Sequence, residues 1–198
     1  IINWIESFLC DRTQVVHVNS AKSKSVKVLS GIPQGTVLGP LLFVIFINDM
    51  PELCANLSRL FLFADDAKIF KGIHSINDCL SLNVSVQNVF DWCNNWLMSL
   101  NYSKCACLSI CKGSQKLIKY DYKFSSVNLE EITIIDVVTN TRDLGIIVDE
   151  DLSFSKHIHD KVNVASKMLG IINRNFKHLN EQCFLLLYKC LVLSLIHI

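Results

Sequence analysis

Two adjacent aspartates, Asp65 and Asp66, stand between the apolar runs Leu60 to Phe63 and Ala67 to Phe70, and few folded arrangements accommodate that pattern. Apolar runs separated by so short a polar break read as the strands of a tight antiparallel hairpin. The carboxylates then lie at its tip. Neighbouring like charges repel and gain little from folding, so a cation is the natural reason to hold them there. Magnesium takes carboxylate, water and phosphate oxygens, usually with one or two carboxylates per ion. Two such ions about 3.5 to 4 Å apart clamp the attacking and leaving oxygens of a phosphoryl transfer. Successive strand side chains point to opposite faces, so Asp65 and Asp66 do not serve one shell equally and a further carboxylate from another strand is needed. Alone, the dipeptide also fits two solvated turn aspartates.

Upstream, the stretch Ser30-Gly31-Ile32-Pro33-Gln34-Gly35-Thr36-Val37-Leu38-Gly39-Pro40 holds three of the seven glycines and two of the three prolines. It must be a shaped loop. Pro40 suits a first helical turn, and Leu41 to Asn48 follows as a buried helix closed by Asn48-Asp49-Met50-Pro51. Ile1 to Leu9 has helical spacing, while Gln14 to Asn19 and Ser25 to Leu29 form a hairpin around the polar turn Ser20 to Lys24. Residues 78 to 99 read as a long amphipathic helix. Strands are expected at Cys105 to Ile110, Ile132 to Val138 and Asp143 to Val148, with Gly145 inside the last. After about residue 155 the pattern is helical, and the composition shift at Asp151 to Ser155 marks a domain boundary.

Hydrophobic residues form 51% of the 198 and charged residues 19%, which excludes intrinsic disorder. Leu41 to Ile47 and Phe184 to Ile198, the latter broken by Lys189, fall short of the roughly 20 residues that span a bilayer. The expectation is a soluble domain. Nine cysteines at irregular spacing, with no secretory leader pattern, suit a reducing compartment and small buried thiols. An intracellular place, nuclear or cytoplasmic and not secreted, follows. Cys105, Cys107 and Cys111 cluster without the second ligand pair a zinc site wants. The net charge of +1 hides a gradient: residues 151 to 198 carry six basic against three acidic residues. Lys156, Lys161, Lys167, Arg174 and Lys177 could track a phosphate backbone or simply form a solvated helix face.

Phe63-Ala64-Asp65-Asp66, about thirty residues after the glycine loop, resembles the reverse transcriptase palm in the wording of non-LTR (LINE-class, jockey-like) retrotransposons. The likeness extends to Phe46-Ile47-Asn48-Asp49-Met50-Pro51, the Trp92 to Trp96 helix leading to Asn101 and Lys104-Cys105, then Asp143-Leu144-Gly145 and His157-Ile158. It runs in the family's order from the first residue to about Val192. The resemblance implies an α+β fold, with a polymerase palm of antiparallel sheet and packed helices at 1–150 and a partial helical thumb at 151–192. By the same resemblance Asp65 is the catalytic metal ligand and Asp66 its less directly coordinating neighbour, with Phe63 and Ala64 near the primer terminus. Gly31, Pro33, Gln34 and Gly35 line the nucleotide and template pocket. Lys104 matches a lysine near the incoming triphosphate that protonates pyrophosphate, an exposed surface lysine being the alternative. Leu144 and Gly145 match the primer grip, a hairpin that holds the primer 3′ end against the metals. The implied cofactor is Mg²⁺, with Mn²⁺ as a substitute, and the implied partners are an RNA template, a DNA primer and deoxynucleotide triphosphates, with no membrane.

Departures from the family pattern carry expectations of their own. The family's first catalytic aspartate belongs on a strand upstream of the Ile1 to Leu9 helix, so the chain is expected to be truncated there and, before the rest of the thumb, at its other end. Leu193-Ser194-Leu195-Ile196-His197-Ile198 resembles a translated sequencing-library adapter. The competing class is a non-enzymatic remnant, a decayed element or a palm module that only binds nucleic acid. A sheet lacking its upstream strand exposes an unpaired edge, an aggregation hazard. Residues 1–198 expressed alone should therefore be poorly soluble and incorporate no deoxynucleotide on a primed template with Mg²⁺ or Mn²⁺. Extension by the bare chain that Asp65→Asn abolishes would place the missing carboxylate within it.

Overall fold

Short antiparallel reversals and amphipathic helices alternate in the computed structural model, which describes residues 1–111, 117–125 and 132–195. The chain forms two compact units, Ile1–Gly72 and Ile73–Ile198. The mixture of helix and strand is α+β, and each sheet among the described residues has two strands.

The first unit opens with α1 (Ile2–Leu9), where Trp4 and Phe8, one turn apart, stack with centroids 6.2 Å apart. Asp11 at φ +52° ends it. A nested hairpin follows, in which β1 (Thr13–Gln14) pairs with β4 (Val26–Lys27) and β2 (His17–Val18) pairs with β3 (Ala21–Lys22). Its tip is Asn19-Ser20, with Asn19 at φ +53°, rather than the expected Ser20 to Lys24. Ser23 is drawn into the ladder instead: its N–H reaches the Val16 carbonyl at 2.9 Å, and its hydroxyl accepts the Val16 N–H at 2.9 Å.

Helix α2 (Leu38–Ile47) begins three residues before its expected start. The Thr36 hydroxyl accepts the Gly39 N–H at 3.1 Å while donating to the Pro33 carbonyl at 2.8 Å. Pro40 then takes the third helical position, where no N–H partner is required. The helix is not buried all round, as expected, but only at Gly39 and Ile47. Leu41, Val44 and Ile45, which share a face, are each more than half exposed. A 3₁₀ turn, Met50–Cys54, with Pro51 in its first turn, closes the segment. β5 (Arg59–Phe63) and β6 (Asp66–Phe70) then form the expected hairpin.

In the second unit α3 (Ile76–Asn95) starts from a capping box, Ser75 with Asp78. The helix carries much of the core: Cys79, Ser85, Val89, Phe90, Trp92 and Cys93 are buried. β7 (Ala106–Leu108), β8 (Lys123–Ser125), β9 (Ile132–Ile134) and β10 (Asp136–Val138) follow. β7 pairs in parallel with β10, and β8 pairs antiparallel with β9. Ile135 interrupts the expected Ile132 to Val138 strand because its N–H turns to the Tyr122 carbonyl at 2.8 Å. Amides of α3 complete β8: Asn83 Oδ1 accepts the Lys123 N–H at 2.8 Å, and Gln87 accepts from and donates to Ser125 at 2.9 and 3.0 Å. Phe90 stacks on Phe124 at 4.6 Å.

The single strand that the apolar pattern predicts at Asp143 to Val148 is instead part of a further hairpin, β11 (Asn140–Asp143) with β12 (Ile146–Asp149). Leu144 and Gly145 make the reversal. Helix α4 (Ser155–Asn175) and α5 (Glu181–Leu187) follow, continuing through a π-helical turn, Tyr188–Val192, and a 3₁₀ turn, Leu193–Leu195. Ile196 to Ile198, in the suspected adapter tail, lie outside the described residues. Among the described residues no helix is long and apolar enough to cross a membrane.

Helix α3 ends at Asn95, four residues before its expected end. The Leu97 N–H bonds the Asn94 carbonyl at 3.2 Å and the Met98 N–H bonds the Cys93 carbonyl at 2.8 Å. These are the paired bonds of a Schellman motif, with Leu97 in glycine's place at φ +56°. Its side chain is 93% exposed, so it offsets none of the strain of a left-handed L-residue, about 1–2 kcal/mol. Leu97→Gly should stabilise the second unit by about 1 kcal/mol in denaturant unfolding. A lowered midpoint would mean that Leu97 contributes a contact in solution.

Candidate functional site

The carboxylate hairpin has five cross-strand pairs, from Arg59 with Phe70 to Phe63 with Asp66. Its loop is therefore two residues, Ala64 and Asp65. Ala64 has φ +51° and Asp65 is not in the positive region, the backbone signature of a type II′ turn. Alanine stands where glycine is usual. Asp65 occupies the second corner, whereas Asp66 belongs to β6 and pairs with Phe63. Both are exposed, adjacent in sequence but set in different backbone environments.

Alternation places Arg59, Phe61, Phe63, Asp66, Lys68 and Phe70 on one face of the hairpin. Phe61 stacks on Phe70, centroids 5.0 Å apart and planes within 5°, yet Phe61 is 53% and Phe63 63% exposed. The opposite face, Leu60, Leu62 and Ile69, is half-buried. Asp66 thus shares a face with an exposed aromatic strip, and Asp65 stands at the turn.

The glycine loop lies in the same unit. Gly31 and Gly35 sit at φ +80° and +75° with open space where a Cβ would be, so backbone conformation, not crowding, requires glycine there. Gly39 is the reverse case. A Cβ on it would meet Thr36 Oγ1 at 2.9 Å and the Pro33 carbonyl at 3.0 Å. Pro33 is half-buried and Gln34 exposed. Arg12 also belongs to this region: its Nε donates to the Leu9 carbonyl at 2.8 Å and its Nη2 to the Gly31 carbonyl. One guanidinium ties the end of α1 to the loop. A single arginine after a helix carries no sequence signal for that role.

Lys104, Leu144 and Gly145 fall in the second unit. Lys104 ends a 3₁₀ turn, Tyr102–Lys104, its N–H on the Asn101 carbonyl at 3.0 Å and its side chain exposed. Leu144 and Gly145 have φ +46° and +89°, so this turn is of type I′, with Leu144 half exposed at its tip. Of the basic residues on and after α4, Lys167, Arg174 and Lys177 are exposed and Lys161 is half-buried.

Among the described residues no group of three or more His, Cys, Asp or Glu is placed to hold a metal. Asp65 and Asp66 remain an exposed pair of hard oxygen donors, which fits a magnesium ion completed by water and phosphate oxygens. Burial pushes Cys93, Cys105 and Cys107 upward, away from the thiolate that metal binding needs.

Comparison with known proteins places these elements in a family. The family described as reverse transcriptase (RNA-dependent DNA polymerase) matches residues 1–148, and the chain belongs to it. The RNA-directed DNA polymerase from mobile element jockey of Drosophila melanogaster is 29% identical over 214 residues, covering 95% of this chain and 21% of the relative. A probable RNA-directed DNA polymerase from transposon X-element of the same species is 29% identical, covering 79% of this chain and 17% of the relative. That from transposon BS is 28% identical, covering 78% and 17%. The chain thus spans about a fifth of the length of these relatives. The resemblance to jockey-like retrotransposon polymerases holds. No solved structure matches the chain.

The left-handed corner at Ala64 is open to test. Ala64→Gly should keep the turn, whereas Ala64→Val forces a β-branched residue to positive φ and displaces Asp65. In a polymerase chain of the relatives' length, primer extension by the valine variant should fall at least about tenfold, which corresponds to some 1.4 kcal/mol, with far-UV circular dichroism unchanged. Parental extension by the valine variant would show that this corner does not set the carboxylate.

Proposed function

We propose that, within the reverse transcriptase family to which it belongs, the chain supplies the palm hairpin, the nucleotide loop and the start of the thumb of an RNA-directed DNA polymerase acting in retrotransposition. The observation that carries the reading is the two-residue β5–β6 turn, which presents Asp65 directly after the strained corner at Ala64 and beside Asp66. A reversal that costs strain and leaves two like charges exposed gains little for folding and suits a site.

On this reading Asp65 and Asp66 hold divalent cations, Mg²⁺ or Mn²⁺, and Asp65 coordinates more directly. Such a cation pair supplies the clamp on the attacking and leaving oxygens of an in-line displacement. The remaining work belongs to the chain. Gly31 and Gly35, with Pro33 and Gln34, let backbone approach the nucleotide and template without a side chain intervening. Arg12 keeps that loop against the end of α1. Phe63 and Ala64 border the primer end, and Lys104 passes a proton to the departing pyrophosphate. Leu144 and Gly145 grip the primer strand. Lys167, Arg174 and Lys177 contact duplex phosphates. The reaction joins a primer 3′ hydroxyl to the α-phosphorus of a deoxynucleotide triphosphate and releases pyrophosphate.

Asp65→Asn, made in a polymerase chain of the relatives' length, should abolish primer extension while leaving the unfolding midpoint in place. Each tenfold loss in rate is about 1.4 kcal/mol of transition-state stabilisation, and removal of a metal ligand should exceed several such steps. Extension within tenfold of the parent would end the assignment of Asp65.

A further inference from the structure

The β11–β12 hairpin is fastened to the helix that follows it by side chains from the first turns of α4. In a two-residue hairpin the pair flanking the turn, Asp143 with Ile146, exchanges ladder hydrogen bonds, and the next pair, Arg142 with Ile147, does not. The Ile147 N–H therefore points away from β11. It donates instead to His157 Nδ1 at 3.3 Å, in a half-buried setting. On either side Lys156 Nζ donates to Asn140 Oδ1 at 2.9 Å, and Arg142 Nη2 lies 3.6 Å from Asp160 Oδ2.

The connecting loop is held as well. Asp149 accepts the Ser153 N–H at 2.6 Å and the Ser153 hydroxyl at 2.7 Å. That hydroxyl holds the Asp149 carboxyl below its ordinary range. The Glu150 N–H returns to the Thr139 carbonyl at 3.0 Å. The flanking contacts are exposed, and exposed ion pairs contribute little in water. The His157 bond differs: it satisfies an outward backbone donor away from full solvent, where an unmet donor costs more.

We propose that His157 is a positioning residue, whose Nδ1 accepts the Ile147 N–H and so locks the Leu144-Gly145 turn to α4, making hairpin and helix hold the end of a nucleic-acid strand as one body. The proposal rests on the reading of Leu144-Gly145 as the primer grip. It requires an acceptor at the Nδ1 position, not an imidazole as such. Asparagine reproduces that acceptor, because its Oδ1 lies as many bonds from Cα as Nδ1 does. Glutamine reaches only the Nε2 position.

The test compares His157→Gln, His157→Asn and Leu144→Asp in a polymerase chain of the relatives' length, on a primed RNA template. Exchange of the Ile147 amide reports the latch without reference to activity. His157→Gln should speed that exchange and lower kcat for nucleotide addition by about tenfold or more, as loss of alignment does, with nucleotide KM within twofold. His157→Asn should recover amide protection and most of kcat. A glutamine variant with fast Ile147 exchange and parental kcat, beside an impaired Leu144→Asp, would overturn the positioning role and leave the grip standing. An asparagine variant as impaired as the glutamine one would also overturn it. Parental kcat in Leu144→Asp would remove the grip reading and this proposal together.

Discussion

Single residues held in the left-handed backbone region make the reversals that shape both units. Ala64 turns β5 into β6, Leu97 ends α3, Leu144 with Gly145 turns β11 into β12, and Phe154 precedes α4 at φ +55°. Each L-residue there costs about 1–2 kcal/mol, so each must be held by bonds that depend on it. At Ala64 the ladder of five pairs does this, and at Leu97 the two Schellman bonds. At Phe154 the carbonyl accepts the Ile158 N–H at 2.9 Å, the first turn of α4. Strain is thus kept at corners flanked by regular structure, and two of the corners carry candidate site residues.

That constraint also explains which parts were legible in the sequence. The β5–β6 hairpin was, because two apolar runs bracket a charged break and leave one register. The shaped glycine loop was legible from its Gly and Pro content, and α4 from its period. The reversal at Leu144 was not visible in the apolar pattern, since a leucine among Ile146, Ile147 and Val148 continues a strand; only the family resemblance pointed to a hairpin there. The end of α3 was hidden for the same reason, with Leu97 reading as one more apolar helical residue. Helix α2 was misjudged because Leu41 to Ile47 is apolar throughout, and a run with no polar residue cannot reveal which face is exposed. Arg12 on the Gly31 carbonyl and His157 on the Ile147 N–H are backbone contacts, to which side-chain pattern is blind.

The Phe46 to Pro51 motif acquires a physical role from its neighbours. An isolated two-stranded hairpin is marginal in water, so β5–β6 needs a floor. The turn Met50–Cys54 packs against β5, with Met50 and Cys54 buried. Pro51 lies in the first turn of that segment, and Leu60, Leu62 and Ile69 are the half-buried side chains of the hairpin. The stacked Phe61 and Phe70 add about 0.5–1.5 kcal/mol on the other side. The hairpin that carries the aspartates thus packs beside a segment whose own sequence shows no chemistry.

The β5–β6 and β11–β12 hairpins reach the same loop length by different means, and their tips differ accordingly. A type II′ corner needs one positive φ, which alanine supplies beside a free choice at the next position, taken here by Asp65. A type I′ corner needs two, and Gly145 meets the second while Leu144 bears the first. An exposed leucine at a turn tip gains nothing from water and cannot neutralise a phosphate, for which lysine or arginine would serve. It suits contact with the less polar sugar and base surfaces of a strand end. On the proposed reading the charged tip serves the reacting phosphate oxygens through a cation, and the apolar tip holds the primer by its non-phosphate surface, a division already set by which side chain each turn type admits at its corner.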